Sequence, residues 1–524
     1  MDFLKTIFKF ILIVALVVVF AFAIMFGILF FFPKTQIFGF RYVANHEENS
    51  IVIADASVTK INLETNNYDV IVKPNSVKDV SNNPNLSIVI KNDYTGFAND
   101  NNTGTLIKNI TNDEFIKVNE FKSPNLTYFK SGSEYTISIK EPTGMVSYGS
   151  SKIIVNIPEN ASGVEYNIST NKGVISFSKS DINTTKVISS GDVNVAVNSS
   201  SGSFNLDNLS MNAGSTLNIK NFLGRVNINS EKIANVKINS NSGNFTFRNI
   251  GYEGVNGKLT VSGNNPYITV NKIFGGVDFK TTTGLISCDE LVGDGIIETD
   301  NGIIRINKLY GGLSLKSSSG EVTIKQIGEN AFNKKPINIE TKSSSVTLGT
   351  DTTPVYYLTS ITGTTSKVKV TNLYDSDASI NTTKGSINVV FSKDNKQKDI
   401  TVSSTSGVIE LTNVYGNVNA QSTSGMIKTS YTYISTLSEF NTDKGDVEII
   451  LPAPTNDLNK QYTLNLNNKS NKVNVKIGEF SYTKFAGEKN ADDYYNFTKT
   501  FPMDKTTTNT ISVKTNSGKI NIHE

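Results

Sequence analysis

"NKLYGGLSLKSSSGEVTIKQI", residues 307–327, holds two glycine turns, each followed by an alternation of apolar and polar residues. The same skeleton recurs on both sides in other letters. Gly284, Gly302 and Gly320 stand eighteen residues apart, each behind a polar turn ("TTTG", "TDNG", "SSSG"). Gly275, Gly293 and Gly311 keep the same interval, half a period out of phase. Ile286 and Cys288, Ile304 and Ile306, and Val322 and Ile324 follow the first set at fixed offsets; Phe279, Ile297 and Leu315 precede it. Ile273, Leu291, Leu309 and Ile327 carry the register across four copies.

Away from this stretch the phrase is polar turn, glycine, any residue, apolar, polar, apolar. It recurs at Gly173, Gly191, Gly202, Gly224, Gly243, Gly385, Gly407, Gly445 and Gly518. Gly407, Gly416 and Gly425 restore the period at nine and eighteen residues. Alternation with period two predicts strands with one buried face. A glycine behind a polar cluster is expected to supply the positive φ of a tight corner. Strands this short cannot bury their apolar side alone, so each copy must stack on the next. The fold class is therefore all-β: a single-stranded β-solenoid (β-helix) with about 18 residues per coil. The chain would supply roughly twenty rungs at a spacing of ~4.8 Å. A series of β-sandwiches would have longer strands and no fixed eighteen-residue interval, and a propeller needs a period above about forty.

The segments "STNKGVISF", "SSGDVNV", "TTTGLISCDEL", "SSSGEVTIKQI" and "STSGVIELTNVYGNV" resemble the bacterial putative-adhesin β-strand-repeat family, a domain of unknown function. The likeness runs from about Ile51 to Glu524 and is strongest between Gly173 and Gly445. It implies a cell-envelope β-solenoid, and it brings no catalytic residues with it.

Ahead of the repeat, residues 10–32, "FILIVALVVVFAFAIMFGILFFF", are uncharged and almost wholly apolar. As a helix at ~1.5 Å per residue they reach roughly 34 Å, enough for a ~30 Å hydrocarbon core. A cleaved signal peptide would turn polar after Ala21-Phe22-Ala23, whereas here the apolar run continues to Phe32. One transmembrane signal anchor is expected over 10–32, with the short head 1–9 cytosolic and the long C-terminal part outside. Lys5 and Lys9 before the span and Lys34 and Arg41 after it give only a slight bias in charge, so the orientation rests on the lengths of the two sides.

Residues 33–50 read as a linker, and 51–150 as an irregular β section that protects the open edge of the coils. The regular solenoid spans 151–451. Within 51–150 the stretch 97–117, "FANDNNTGTLIKNITNDEFIK", reads as a solvated loop. Residues 452–505 interrupt the cadence with Phe480, Tyr482, Phe485, Tyr494, Tyr495, Phe497 and Phe501, and 506–524 restore it as a final rung. Such rings either plug the end of a core or form a partner-binding aromatic patch for a glycan or a surface protein. Solenoids need terminal caps, which favours the plug.

Composition narrows the chemistry. Lys and Arg number 50 against 47 Asp and Glu, a net charge of +3, which gives no basic groove for nucleic acid. Cys288 is the only cysteine, and His46 and His523 are the only histidines. A disulfide framework, a thiolate metal cage and a Ser-His-Asp triad are therefore not expected. No metal or other cofactor is implied. Cys288 shares a column with Ile306 and Ile324 and should be a buried small hydrophobe. The acids Asp289, Glu290, Asp294 and Asp300 lie close in sequence, but the positions of the first three one period on are Asn307, Lys308 and Gly312, the ordinary variation of a solvated face. "DNNTG" from Asp100 lacks the spaced acids of a calcium loop. Sequons such as Asn109 and Asn198 follow from asparagine-rich composition. Phe274, Tyr310 and Tyr415 share a link position and are expected to stack along a corner.

The expected function is that of a membrane-anchored cell-surface β-solenoid, structural or adhesin-like, without catalysis. It would contact the lipid bilayer through residues 10–32 and a glycan or surface-protein ligand outside. An envelope sensor or assembly scaffold bound to another membrane protein is the alternative, and a polysaccharide-active β-helix enzyme is the third.

Overall fold

A computed structural model describes residues 2–524 except 33–35, 47, 54–57, 76–85, 99–103, 109–115, 118–124, 132–133, 142–143, 159–163, 178–193, 199–201, 207–209, 221–222, 329–334, 394–398, 435, 456, 486–487 and 504–505. Gly191, Asn109 and the first four residues of the "DNNTG" segment thus lie outside the described residues. Contacts divide the chain into two units, residues 1–247 and 248–524.

In the second unit the apolar alternation becomes two parallel sheets, with one strand of each coil in each sheet. Ile268, Ile286, Ile304 and Val322 pair directly, one coil above the next. The column continues through Val346, Val368, Ile387, Ile409, Ile427 and Val447. Ile286, Ile304 and Val322 are each at most 1% exposed. β-branched side chains suit such columns because their single preferred rotamer repeats from coil to coil. Full burial of each contributes about 1.5–3 kcal/mol, which no isolated four-residue strand could collect.

The eighteen-residue step holds where the sequence showed it, as Val277, Gly295 and Leu313 pair in succession. Elsewhere insertions lengthen the coil: Leu313 pairs with Ile337, and Ala378 with Ile400. The average becomes about 22 residues per turn over about 11 turns, in place of roughly twenty rungs of eighteen. Some of the extra residues form bulges within the strands, where the register shifts between Ile337 and Asn338, Thr371 and Leu373, and Leu411 and Val414.

The glycine behind each polar turn proves to be mainly a matter of space. Gly284 and Gly320 do have positive φ, at 127° and 117°. At Gly385, Gly407, Gly425, Gly445 and Gly518 φ lies outside that range, and a Cβ there would overlap the backbone carbonyl of the coil below. The corners stack backbone on backbone. Three residues before the glycine, a Ser or Thr turns inward and its hydroxyl accepts the glycine N–H: Ser404 to Gly407, Ser422 to Gly425 and Thr442 to Gly445, each 2.8 Å. That bond satisfies a buried amide that no strand ladder reaches.

At the end of the second unit, order in space departs from order in sequence. Strands Thr510–Thr515 and Ile520–His523 lie between the coil of Leu437–Thr442 and Val447–Ile450 and the coil of Tyr462–Asn468 and Val473–Ile477, parallel to both. The segment 506–524, expected as the final rung, is therefore an inner one. Both outermost strands are covered by antiparallel partners, Tyr495–Phe501 on one sheet and Phe480–Tyr482 on the other.

The first unit uses the same device. Lys60–Glu64 lies between Glu134–Lys140 and Glu165–Ser169, and Asp69–Asn75 between Lys152–Pro158 and Val174–Phe177, all parallel. Antiparallel strands again cover the outer edges: Leu86–Lys91 on Lys152–Pro158, and Gly104–Lys108 on Glu134–Lys140. The stretch 97–117 is thus not one solvated loop, since Gly104–Lys108 and Ile116–Lys117 are strands. Its threonine, leucine and isoleucine at 105–107 suit an edge strand better than a turn.

Asp2–Phe31 is one α-helix. It ends before Pro33 in the sequence, and the residue ahead of a proline disfavours helix. Most of it is exposed, but Met25 and Leu29 are buried near its C-terminal end. There the Phe26 ring lies 4.4 Å from Phe97 and the Phe30 ring 4.9 Å from Tyr42. These partners belong to a small antiparallel sheet of Arg41–Asn45, Tyr94–Ala98 and Gly144–Ser147. Residues 33–50, read as a linker, therefore contain strand Arg41–Asn45 and the start of Glu48–Ile53.

Candidate functional site

The seven aromatic residues from Phe480 to Phe501 fall on two sides of the last coil. Phe480 pairs with Ile477 and Tyr482 with Val475; Phe497 pairs with Leu466 and Phe501 with Tyr462. Cross-strand partners share a sheet face, so these rings continue the inward faces of the two sheets past the last buried residues. Six of the seven form one connected stack. Its centroid distances are 5.3 Å from Phe501 to Phe480, 6.2 Å from Phe480 to Phe497, 4.4 Å from Phe497 to Tyr482, 6.0 Å from Tyr482 to Phe485 and 6.1 Å from Phe485 to Tyr495. Phe485 and Phe501 are buried, whereas Phe480, Tyr482, Tyr495 and Phe497 are half-buried. Lys499 and Lys489 hold ammonium groups over Phe480 and Tyr495, at 4.5 and 5.4 Å. The rings cover the core and keep part of their faces in solvent.

Tyr494, the seventh, belongs to another surface. Its hydroxyl donates to Asn516 Oδ1, and Asn516 Nδ2 donates to Asp443. The ammonium groups of Lys469 and Lys514 both lie 4.7 Å from its ring centroid. Tyr494, Lys514 and Asn516 line a furrow of about 390 Å³ along the glycine corners, with Ser403, Gln421 and Asn441 on one wall. Buried hydroxyls of Thr382, Ser404, Ser422 and Thr442 line it as well.

A second furrow, of about 370 Å³, follows the same corner over earlier coils and is lined by Lys280, Glu298, Lys316 and Glu340. These pair across coils: Lys280 with Glu298 at 3.9 Å and Lys316 with Glu340 at 3.4 Å. All these wall residues stand four positions before the corner glycine or its serine substitute. Reading that slot along the repeat gives Lys280, Glu298, Lys316 and Glu340, then Thr362, Asn381, Ser403, Gln421 and Asn441, and in Thr510–Thr515 Lys514. The change from alternating charge to amides and hydroxyls was present in the sequence. What hid it was the spatial order, because Lys514 adjoins Asn441 only through the intercalated strand.

Of the four acids, Glu290, Asp294 and Asp289 are each held by a cationic or amide partner. Glu290 bridges Lys272 at 2.8 Å and Lys308 at 3.4 Å, and the Lys272 partnership holds its carboxyl below the usual range. Asp294 pairs with Lys335 at 2.8 Å, which lowers its carboxyl likewise, and it accepts the Gly312 N–H. Asp289 accepts the Asn307 amide. A general acid needs a raised pKa, and Glu290 and Asp294 are shifted the other way. Cys288 pairs with Ile306 in the core column, and burial pushes its thiol up to about 12. His46 meets Asp93 at 2.9 Å, while the Ser150 hydroxyl donates to Asp93 at 2.7 Å and not to the imidazole. No group of metal-ligating side chains occurs among the described residues. Phe274 and Tyr310 are separated in their column by Val292, since Val292 stacks on Ile273 and Tyr310 on Leu291. Ring contacts at the corners join Tyr356 to Tyr374 and Tyr415 to Tyr433 instead.

The family model described as Toastrack DUF4097 matches residues 303–523. This part of the chain is similar to Toastrack and makes up less than half of the sequence. The family is a domain of unknown function, and the match covers the C-terminal part of the longer stretch, 51–524, that resembles the putative-adhesin repeats. The Toastrack match includes the intercalated strands, the aromatic stack and the amide-lined furrow. No curated protein is significantly similar to the chain. Among solved structures, a "putative cell adhesion protein" from Clostridium sporogenes aligns over 91% of this chain and 99% of its own at 10% identity, with a TM-score of 0.16. That score is too low to bear on fold or function.

Proposed function

We propose that the protein is a single-pass, membrane-anchored surface protein that displays a β-solenoid outside the bilayer and binds there without catalysis, in the manner of an adhesin. The observation that carries this reading is the helix: residues 6–31 form a span of 26 residues, long and apolar enough to cross a membrane and almost wholly exposed. Left in water, that surface would oppose solubility; in a bilayer it is matched. The coils add a stack of short strands with charged and amide side chains outward, a surface suited to recognition more than to chemistry. The half-buried rings of Phe480, Tyr482, Tyr495 and Phe497 are the candidate partner-binding patch, with Phe485 and Phe501 beneath them and Tyr494 to one side.

Fractionation and protease protection test the reading. The full chain should stay with membranes through alkaline carbonate extraction, and protease added to intact cells should remove the Toastrack segment. Release into the soluble fraction, or protection of that segment in intact cells, would refute the arrangement.

A further inference from the structure

We infer that the furrow over strands Ile400–Ser404, Val418–Ser422, Leu437–Thr442 and Thr510–Thr515 is a binding site for a linear glycan bearing carboxylates. The site is distinct from the aromatic stack, and the inference stands whether or not that stack binds anything.

Two furrows of similar size follow one corner, and their walls differ in kind. In the first, each Lys of the wall meets a Glu of the next coil, so the wall satisfies its own charges. In the second, the corresponding slots hold Ser403, Gln421 and Asn441, which present hydroxyl and amide groups, and then Lys514. Lys514 is exposed, has the Tyr494 ring 4.7 Å away, and has no carboxylate in ion-pair contact among the described residues. Asp443, the acid in the opposite wall, is engaged by the Asn516 amide, which the Tyr494 hydroxyl holds in turn. Ser403 donates to Asn381 and Gln421 to Asn419 within the sheet, which leaves the Ser403 and Gln421 oxygens, the second Gln421 N–H and the Asn441 amide for a ligand, ending at the Lys514 ammonium.

Successive wall residues are one coil apart, about 4.8 Å. A ligand with polar groups recurring on that scale along an extended chain can meet one wall residue per coil. Sugars in a linear glycan do so, and they present the hydroxyls that Gln and Asn amides recognise in pairs. A carboxylate on such a chain would form a charge-assisted hydrogen bond with Lys514. A protein partner is disfavoured, because the furrow lacks the apolar anchors that carry most protein interfaces.

The test is calorimetric titration of the full chain in lipid nanodiscs with tetragalacturonate, with chitotetraose as the neutral probe and an octaglutamate peptide as the acidic non-sugar. Tetragalacturonate should bind, weaken with added salt, and exceed chitotetraose about tenfold. Lys514→Gln should remove that tenfold preference, and Gln421→Ala should weaken both sugars several-fold. Lys316→Gln, in the self-paired furrow, should change nothing. No sugar binding at millimolar concentration would overturn the inference. So would indifference to Lys514→Gln, an equal effect of Lys316→Gln, or octaglutamate binding as tightly as the sugar.

Discussion

Thr429 occupies a slot that its neighbours fill with Leu411 on one side and Ile449 on the other. It is fully buried, and its hydroxyl has no hydrogen-bond partner. Burying an unpaired hydroxyl costs about 1–3 kcal/mol. Thr429→Val keeps the shape and removes the polar atom, so it should raise stability by roughly 1 kcal/mol, read as a higher denaturant midpoint with unchanged slope. Gly425 shows the opposite sensitivity. A methyl group there would overlap the Gly407 carbonyl oxygen, so Gly425→Ala should cost about 3 kcal/mol, seen as amide exchange spreading from the corners of neighbouring coils. The recurrence of glycine was legible in the sequence, but its cause was not. A φ requirement and a stacking requirement select the same residue, and only the carbonyl beneath Gly407, Gly425 and Gly445 separates them.

A strand and its corner form the next scale. The hydroxyl of Thr442 accepts the Gly445 N–H, so Thr442→Ala leaves a buried amide unpaired and should destabilise that coil by about 1 kcal/mol. Alternation revealed which faces are buried, and Ile286, Ile304 and Val322 do lie one above another. The inward Ser or Thr was harder to see, because in a serine-rich sequence it resembles the exposed turn residues beside it. In the first unit, Asp93 ties segments distant in sequence. It accepts the backbone N–H and the hydroxyl of Ser150 and meets His46, and these bonds lower its carboxyl to about 2. Its folded pKa lies below the unfolded value of about 3.9, so the contribution is present above that pH and is lost as pH falls toward 2. The difference in melting temperature between the protein and Asp93→Asn should shrink as the pH falls across that window.

On the scale of the whole molecule, each unit places one coil out of sequence and covers its outer edge with antiparallel strands. The register of 462–477 depends on 510–523. Truncation after residue 505 should therefore do more than trim one rung. Hydrogen exchange should show protection lost throughout 462–477 and the aromatic stack, with the coil of 437–450 left as an exposed edge prone to self-association. Sequence periodicity could not reveal this order, since every rung carries the same phrase and pairing between distant copies is settled by three-dimensional closure. The apolar helix was legible at once, because its length and lack of charge mean the same thing in any context.

This arrangement bears on how the protein is made. A ribosome delivers 462–477 before 510–523, so those strands have only their antiparallel partners, 495–501 and 480–482, until the later segment has emerged. Assembly of a solenoid coil by coil can keep pace with translation; this last step cannot. A nascent chain halted in between would hold strands with one open, sticky edge that chaperones and proteases recognise, so polypeptides translated past that point would escape quality control more readily.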